Sequence, residues 1–329
     1  MYINQIFELS MVLDHERFHK VFKCACSKDG CMEKKEDEYI DRSLEEKGVM
    51  VIYRDSQYKK KIKLIINIGQ LLDGSKQEID RVVRRINKRI GEYFDFKYNI
   101  EDFTLSGMRL VADINVGSRE SVQAYLKVFQ RIGKVKGFSP TSHECFEDID
   151  NYCLEGNSNG IEFMVYDLEG ICRKQAKDND MSKKRLKTVI NASEGILRVE
   201  VHLAKPKAVQ NYTRTNNISN QIVKFLEERH NIFLEIFVRI IPFGDYYKKD
   251  KAVEMIRNEV EDIRMKRKML RLLELIPEKR SLYLAQKAMN NRNIEKIMKA
   301  FEKIGVSPVT ISKRQDVKQL KNIYELLFV

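Results

Sequence analysis

The amino-acid sequence predicts an α+β fold: an antiparallel-rich sheet with helices packed on one side, followed by an all-helical C-terminal module. Between residues 48 and 210, segments of alternating polar and apolar residues are interleaved with segments of helical periodicity. From about Tyr246 the alternation disappears and helical periodicity remains. The sequence also contains no Gly-x-Gly-x-x-Gly or P-loop motif, which argues against dinucleotide binding and nucleotide hydrolysis. We therefore expect two domains, residues 1–245 and 246–329.

In the first domain, strands and helices are expected to alternate along the chain. The alternating segments predict strands at 49–53, 61–67, 105–116, 161–167 and 195–203. Apolar residues at helical spacing predict helices at 77–93, 122–132 and 182–191. Ser118 stands where the cap of the second helix belongs. Residues 1–47 are rich in charge and show no clear period.

Basic residues form one face of the helix expected at 77–93. This face includes Arg84, Arg85 and Lys88, whereas the apolar positions point to a core. The cations form either a solvated face or a ridge that binds phosphate. Arg173 and Lys174 make a second basic pair, a short distance after a tyrosine-bearing strand. We predict that these five residues contact DNA.

The helical module is expected to contain one long helix at 251–276, ending before Pro277, and shorter helices at 281–290, 293–304 and 316–327. A tight turn at 304–310 is expected between two of them. This arrangement is typical of a helix-turn-helix that reads DNA, and equally of a small helical bundle.

The composition points to a soluble protein with a polyanionic partner. Lysine and arginine total 60 against 48 aspartates and glutamates, a net charge of +12. A field of this sign attracts nucleic acid. No segment approaches the roughly 18–20 apolar residues of a membrane helix, and the N-terminus lacks a signal-peptide pattern. We therefore expect no membrane partner and a cytoplasmic location.

The cysteines are expected to be reduced thiols. Cys24, Cys26 and Cys31 follow His15 and His19, but the run lacks the second Cys knuckle of most zinc sites. The two histidines could equally lie on the surface of one helix. Zinc binding by this run is therefore left open.

The chemistry-bearing residues concentrate on two strands. Along 195–203 the alternation places Arg198, Glu200 and His202 on one face, while apolar residues project from the other. The three groups form either a solvent-exposed face or a site. In a site, Glu200 would hold a divalent metal, Arg198 would meet phosphate, and His202 would be a ligand or proton carrier.

Tyr166 ends the other strand and is followed directly by Asp167. A tyrosine hydroxyl can act as the nucleophile in phosphodiester cleavage and keep the bond energy in a phosphotyrosine link. Asp113, at the end of a separate strand, offers a further carboxylate for a metal. Spacing alone does not separate Tyr166 from four competitors, which are Tyr152, Tyr212, Tyr246 and Tyr247.

In their order along the chain, these segments resemble rolling-circle replication initiators, above all the replication proteins of filamentous phages and related initiators of Gram-positive plasmids. The resemblance is carried by Arg109–Ile114 (RLVADI), Val165–Glu169 (VYDLE) and Leu197–Leu203 (LRVEVHL), and covers roughly residues 48–210. The family shows an Asp-bearing strand, a Tyr-Asn/Asp-Lys segment and a Leu-Arg-Ile-Glu strand in this order. Here Leu168 replaces the lysine, the Arg-to-Asp gap is wider, and no His-hydrophobic-His pair occurs.

The resemblance implies a relaxase-like nicking domain that cuts one strand at an origin and leaves a tyrosyl-DNA ester and a free 3′ hydroxyl. Tyr166 would be the nucleophile, Arg198 would lie near the scissile phosphate, and Asp113 and Glu200 would hold Mg²⁺ or Mn²⁺. The partner would be origin DNA, single-stranded or in a hairpin, and a homodimer is left open. The alternative is a non-catalytic DNA-binding regulator that uses the helical module.

Overall fold

The structure, a computed structural model, describes residues 1–27, 32–72, 79–158, 160–178, 183–290 and 293–328. Within these residues one ten-stranded sheet has the order β2-β3-β4-β5-β1-β6-β10-β9-β8-β7, and every neighbouring pair is antiparallel. Its strands are β1 (Asn4–Leu13), β2 (Met32–Lys35), β3 (Glu38–Asp41), β4 (Val49–Asp55), β5 (Lys60–Asn67), β6 (Thr104–Asn115), β7 (Phe138–Pro140), β8 (Asn151–Gly156), β9 (Ile161–Asp167) and β10 (Ile196–Leu203).

A two-stranded sheet and the helices complete the described fold. The small sheet pairs β11 (Tyr246–Tyr247) with β12 (Gln319–Leu320). The helices are α1 (His15–Cys26), α2 (Ile68–Leu71), α3 (Ile79–Tyr93), α4 (Arg119–Gln130), α5 (Leu168–Asp178), α6 (Lys183–Ser193), α7 (Pro206–Thr213), α8 (Ile218–Ile240), α9 (Lys249–Glu259), α10 (Ile263–Lys279), α11 (Leu282–Ala288), α12 (Ile294–Lys303) and α13 (Ile323–Leu327). No described helix combines the length and apolar character needed to span a bilayer.

The strand alternation gives the main sheet two unlike faces. On β10, Leu197 and Val199 are fully buried on what we call the covered face, and Arg198 and Glu200 project from what we call the polar face. Helices α4, α7 and α8 pack against the central strands, and α8 places Phe237 6.2 Å from Phe163 of the covered face. The predicted α+β fold with a large antiparallel sheet is therefore confirmed.

The helices do not leave the polar face wholly bare. A short 3₁₀ turn at Glu144–Phe146 lies over it, because Phe146 packs against Cys153, Met164 and Tyr166. The prediction of helices on one side is therefore incomplete.

The N-terminal segment, which shows no clear period in the sequence, forms a central strand. β1 pairs with β5 on one side and β6 on the other, and its register shifts between Glu8 and Leu9. Phe7 and Leu9 are fully buried on the covered face, whereas Glu8 lies on the polar face. This strand was not predicted because Gln5 lies on the covered face and Ile6 and Val12 lie on the polar face, which blurs the expected alternation.

The C-terminal region differs from the expected all-helical module. The long helix expected at 251–276 is two helices, since Asp262 caps α10 by accepting hydrogen bonds from the backbone N–H groups of Arg264 (2.8 Å) and Met265 (3.2 Å). Pro277 lies inside the last turn of α10 and does not end it. The helix expected at 316–327 is instead β12 followed by α13.

The tight turn expected at 304–310 is present, but it does not lie between two helices. After α12 the chain turns at Gly305, which has a φ of +63°, and Val306 then forms an isolated bridge with Asp245. This turn therefore leads into extended chain and not into a second helix. One apolar cluster contains side chains of both regions, and the domain boundary at 246 stays a prediction.

Candidate active site

The strand register brings the predicted catalytic residues to one place on the polar face. Arg198 of β10 lies opposite Tyr166 of β9 on one side and opposite Asp113 of β6 on the other. Glu200 lies two residues farther along β10, on the same face. We call Tyr166, Arg198, Glu200 and Asp113 the Tyr166 group.

Direct contacts join the Tyr166 group in two pairs. The Tyr166 hydroxyl donates a hydrogen bond to Glu200 Oε1. Arg198 donates from Nε to Asp113 Oδ1 at 2.6 Å and from Nη2 to Oδ2 at 2.7 Å. This bidentate geometry fixes the plane of the guanidinium as well as its position. The site therefore combines a phenol, a carboxylate that can accept its proton, and an oriented cation.

The Tyr166 phenol is held in its protonated form. Its side chain is 6 % exposed, and the Phe146 ring lies 4.6 Å away. Burial raises the pKa of Tyr166 most, the charge of Glu200 raises it further, and Arg198 opposes both, so the pKa lies well above its usual range. A phenol in this state needs a local base before it can attack, and Glu200 is in hydrogen-bond contact with it.

The turn over Tyr166 is fastened to α5. The Lys174 ammonium donates hydrogen bonds to the backbone oxygens of Glu144 and Glu147, both at 3.3 Å. We call residues 144–147 the cover segment, because it carries Phe146 onto the tyrosine ring. The cover segment therefore helps to bury the Tyr166 side chain.

A second set of charged residues adjoins the Tyr166 group on the polar face. We call it the Glu8 group, and its members are Glu8, Lys63, Arg109, Glu162 and His202. Glu8 Oε1 accepts from Arg109 Nε (3.0 Å) and Nη2 (2.9 Å), and Glu8 Oε2 lies 2.8 Å from Lys63 Nζ. His202 Nδ1 lies 2.8 Å from Glu162 Oε2 and its Nε2 lies 3.5 Å from Glu8 Oε1.

Opposite charges control protonation in the Glu8 group. Burial alone would raise the pKa of Glu8, but His202, Arg109 and Lys63 outweigh it and hold the pKa well below its usual range. Burial would lower the pKa of His202, but its contacts with Glu162 and Glu8 outweigh burial and raise it. The His202 Nε2 contact is a charge interaction more than a good hydrogen bond, because the 3.5 Å separation is long and the atom has no acceptor in bonding geometry.

Removal of His202 should have a pH-dependent effect on stability. Because the folded-state pKa lies above the unfolded value of 6.5, its contribution is present below pH 6.5 and disappears as pH rises through the folded pKa. We expect His202→Gln to lower the free energy of unfolding more at pH 5.5 than at pH 9. Urea unfolding of both proteins at the two pH values measures this. An equal loss at both would contradict a charged His202.

The sequence pattern identifies the Tyr166 group but does not identify Glu8, Lys63 and Glu162. Lys63 and Glu162 lie at polar positions of predicted strands, so their alternation was a usable signal. Glu8 gave none, because the strand that carries it was not recognised. Of the competing tyrosines, Tyr152 donates to the backbone oxygen of Gly133 at 2.8 Å and Tyr246 is fully buried, so neither joins a carboxylate and a cation.

Asp113 and Glu200 lie on adjacent strands but are not arranged as a metal site. Both oxygens of Asp113 accept from Arg198, and Glu200 Oε1 accepts from Tyr166. Among the residues that the structure describes, no group of three or more His, Cys, Asp or Glu side chains could hold a metal ion. Mg²⁺ and Mn²⁺ favour several oxygen ligands. The Arg198 guanidinium already binds the Asp113 carboxylate, and its positive charge opposes the binding of a metal cation there. As arranged, these residues do not fit the predicted ion.

The cysteine run near the N-terminus lies at the end of α1. Cys24 and Cys26 are free thiols there, and the His15 and His19 rings lie 4.2 Å apart at the start of the same helix. Cys31 lies outside the described residues, so zinc binding by the full run stays open.

The predicted DNA-binding residues divide between two places. Helix α3 packs Ile86 and Ile90 against the covered face, so its basic side chains lie across the sheet from Tyr166. Arg84 is exposed, Arg85 donates to the backbone oxygen of Leu71 at 2.7 Å, and Lys88 lies 3.8 Å from Glu92.

Arg173 and Lys174 lie on α5, which follows the tyrosine strand directly. Arg173 pairs with Glu169 at 2.6 Å, and Lys174 holds the cover segment. The structure therefore brings Lys174, but none of the α3 cations, next to the Tyr166 group. DNA contact by all five residues stays a prediction.

Comparison with known proteins adds a weak likeness to a solved structure. No family model and no curated protein matches the chain. The chain is similar to a solved structure described as that of a rolling circle replication initiator protein from Geobacillus stearothermophilus, with 11 % identity over 71 % of this chain and 85 % of that chain. The TM-score is 0.34, too low to assign a fold family or a function.

Proposed function

We propose that this protein initiates replication of a plasmid or phage by binding the origin and cutting one DNA strand with Tyr166. The observation that carries the proposal is the hydrogen bond from the Tyr166 hydroxyl to Glu200, with the Arg198 guanidinium on the same strand. A hydroxyl paired with a base is the usual form of an activated nucleophile. The net charge of +12 suits a polyanionic substrate, and such a reaction would take place in the cytoplasm.

In the proposed reaction, the phenol oxygen of Tyr166 attacks a backbone phosphorus while its proton passes to Glu200. The bond from phosphorus to the 3′ oxygen breaks, that oxygen takes a proton from water to become a free 3′ hydroxyl, and Glu200 returns its proton to the solvent. The DNA on the other side stays joined to Tyr166 through its 5′ phosphate. Arg198, held in plane by Asp113, would neutralise charge that develops on the phosphate oxygens.

No step of this reaction uses the divalent metal predicted from the sequence. Asp113 acts through Arg198 in the proposal, because both of its oxygens are bound to the guanidinium. A requirement for Mg²⁺ or Mn²⁺ would contradict this metal-free reaction.

The test is a search for a covalent protein–DNA product. Single-stranded oligonucleotides tiled across the DNA that flanks the coding sequence are labelled at the 3′ end, because the 3′ fragment stays on the protein. They are incubated with the purified protein, with EDTA, Mg²⁺ or Mn²⁺, and separated under denaturing conditions. Labelled protein with the DNA on a peptide containing Tyr166 supports the proposal. Attachment at another residue, or none with any tile, overturns it.

Glu200→Gln should slow formation of the covalent product by about 10²- to 10⁴-fold, the usual contribution of a general base. Glutamine keeps an oxygen that can accept the Tyr166 hydrogen bond but cannot take the proton at neutral pH. The measurement is the single-turnover rate on the oligonucleotide that the wild type cuts. Glu155→Gln is the matched control, because Glu155 is exposed on β8 and lies on the polar face of the sheet, as Glu200 does. A rate for Glu200→Gln equal to that of the control would remove Glu200 from this role.

A second candidate function is DNA binding without cutting, and one surface favours it. Helix α10 exposes Arg264, Arg267 and Lys268, and none of the three forms an ion pair with any described residue. A row of free cations on one helix is the usual footprint of phosphate contact.

Reversal of charge at α10 tests this second candidate. We expect Arg264→Glu/Arg267→Glu/Lys268→Glu to lower the slope of log affinity against log salt concentration by about 0.9 for each phosphate of duplex DNA that the variant no longer binds. Arg84→Glu/Lys88→Glu makes the same type of change on α3. A larger effect on α3 would assign phosphate binding to the ridge predicted from the sequence.

A further inference from the structure

A cavity of about 490 Å³ lies between α1 and the turn that follows α3. It lies on the covered side, because its lining includes Tyr53, which packs 6.1 Å from Phe18 of α1. The Tyr166 group therefore lies across the sheet, and the cavity has no part in the proposed reaction. Its volume is within the range of small-molecule sites, roughly 300–1,000 Å³.

The inner wall of the cavity is aromatic. Tyr53, Tyr93, Phe94 and Tyr98 line it, with ring centroids 4.8 Å apart for Tyr93 and Phe94 and 5.5 Å apart for Phe94 and Tyr98. Both pairs are edge-to-face. Such a lining favours the binding of a planar aromatic ligand, since stacking of a base on an aromatic side chain contributes about 1–3 kcal/mol.

Hydrogen bonds fix two of these rings from behind. Tyr93 donates to Asp41 Oδ2 at 2.6 Å, and the Tyr53 and Tyr93 hydroxyls lie 2.9 Å apart. Burial raises the pKa of both phenols well above the usual range, so both stay neutral. The rings are therefore preorganised as an uncharged surface for a guest.

The rim of the cavity is cationic. Arg17 and Lys20 lie one turn apart on α1, and Lys97 lines the cavity from the other side. Asp95 is the single carboxylate among the described lining residues, so cations outnumber it three to one. Arg17 lies 3.3 Å from Asp14, whereas Lys20 and Lys97 form no ion pair within the described part of the chain. An anionic group is therefore favoured at the entrance.

From the aromatic wall and the cationic rim together, we propose that this cavity binds a nucleotide, with the base among the rings and the phosphate at Lys20 and Lys97. The ligand is bound and not hydrolysed, which agrees with the absence of a P-loop from the sequence. It is either a free nucleotide or one nucleotide of a DNA strand, and the two sources share this chemistry. The proposal is independent of cutting by Tyr166.

Titration calorimetry on the full-length protein tests the proposal with four probes: dTMP, thymidine, 2-deoxyribose 5-phosphate and pentathymidylate. We expect at least tenfold weaker binding of thymidine and of the sugar phosphate than of dTMP, because each lacks one of the two recognised groups. If pentathymidylate binds and dTMP does not, the nucleotide belongs to a DNA strand.

Two variants locate the binding. Lys20→Glu/Lys97→Glu reverses charge on exposed side chains and should weaken dTMP or pentathymidylate binding at least tenfold. Val21→Trp should block the cavity, and it introduces the only tryptophan in the chain, whose fluorescence reports whether the protein stays folded. Lys296→Glu/Lys299→Glu on α12 is the matched control for charge. No binding of either probe at millimolar concentration, or equal binding by the rim variant and the control, overturns the proposal.

Discussion

Tyr166→Phe is expected to abolish the covalent protein–DNA product completely while the protein still binds DNA. The substitution removes the only atom of this side chain that can attack phosphorus and keeps the ring that packs against Phe146. DNA affinity should change by less than about threefold, since charge contacts with phosphate dominate it. Denaturing electrophoresis of the labelled DNA measures attachment, and a filter-binding titration measures affinity.

Tyr152→Phe provides the control for Tyr166→Phe. It removes a buried hydroxyl from the neighbouring strand, where that hydroxyl bonds to the backbone oxygen of Gly133. We expect this control to lose some stability, about 1 kcal/mol for one hydrogen bond, and to keep full attachment. If Tyr166→Phe still formed the product, another nucleophile would be responsible and the proposed reaction would fail.

Glu8→Gln is expected to destabilise the protein by about 3 kcal/mol. Glutamine has nearly the same shape as glutamate, so the loss of stability comes from removal of the negative charge that Lys63, Arg109 and His202 contact. Breaking a buried ion pair by removal of one partner costs about 3–5 kcal/mol. The lower end applies because the Lys63 and Arg109 side chains are 30 % and 36 % exposed and keep contact with water.

Urea unfolding at pH 7 measures the loss, and Glu254→Gln is the matched control. Glu254 pairs with Lys251 at 3.1 Å, but both side chains are more than half exposed. We expect the control to change the free energy of unfolding by less than about 1 kcal/mol, as is usual for surface pairs. A loss for Glu8→Gln as small as that of the control would mean that water screens the Glu8 group.

The period of two along 195–203 was enough to place Arg198, Glu200 and His202 on one face, and the structure agrees. It was not enough to show what they face, because the register between strands depends on contacts across the whole sheet. The sequence therefore could not show that Arg198 lies opposite both Tyr166 and Asp113. Nor could it separate a carboxylate that binds metal from one that binds a guanidinium, since Asp113 is suited to both.

Two elements were not predicted, for physical reasons that a local sequence pattern cannot reveal. β1 was missed because Gln5 on the covered face and Ile6 and Val12 on the polar face interrupt the alternation, and such positions are accepted only because of their neighbours in the folded sheet. The break between α9 and α10 was missed because Ile256, Val260 and Ile263 continue the apolar spacing of a helix across it. Asp262 is a residue type that often caps helices, but the same residue also occurs inside helices. Whether it starts a new helix depends on how the segments on either side of it pack.

The central position of β1 has a consequence for biosynthesis. The Glu8 side chain contacts Lys63 and Arg109. The strands that pair with β1, which are β5 and β6, are synthesised well after it. During translation one edge of β1 therefore stays unpaired until β5 has been made, and its other edge until β6 has been made. Pairings so distant along the chain slow folding, and waiting strand edges promote aggregation. Expression at low temperature or with chaperones should raise the soluble yield of this protein more than changes to its surface would.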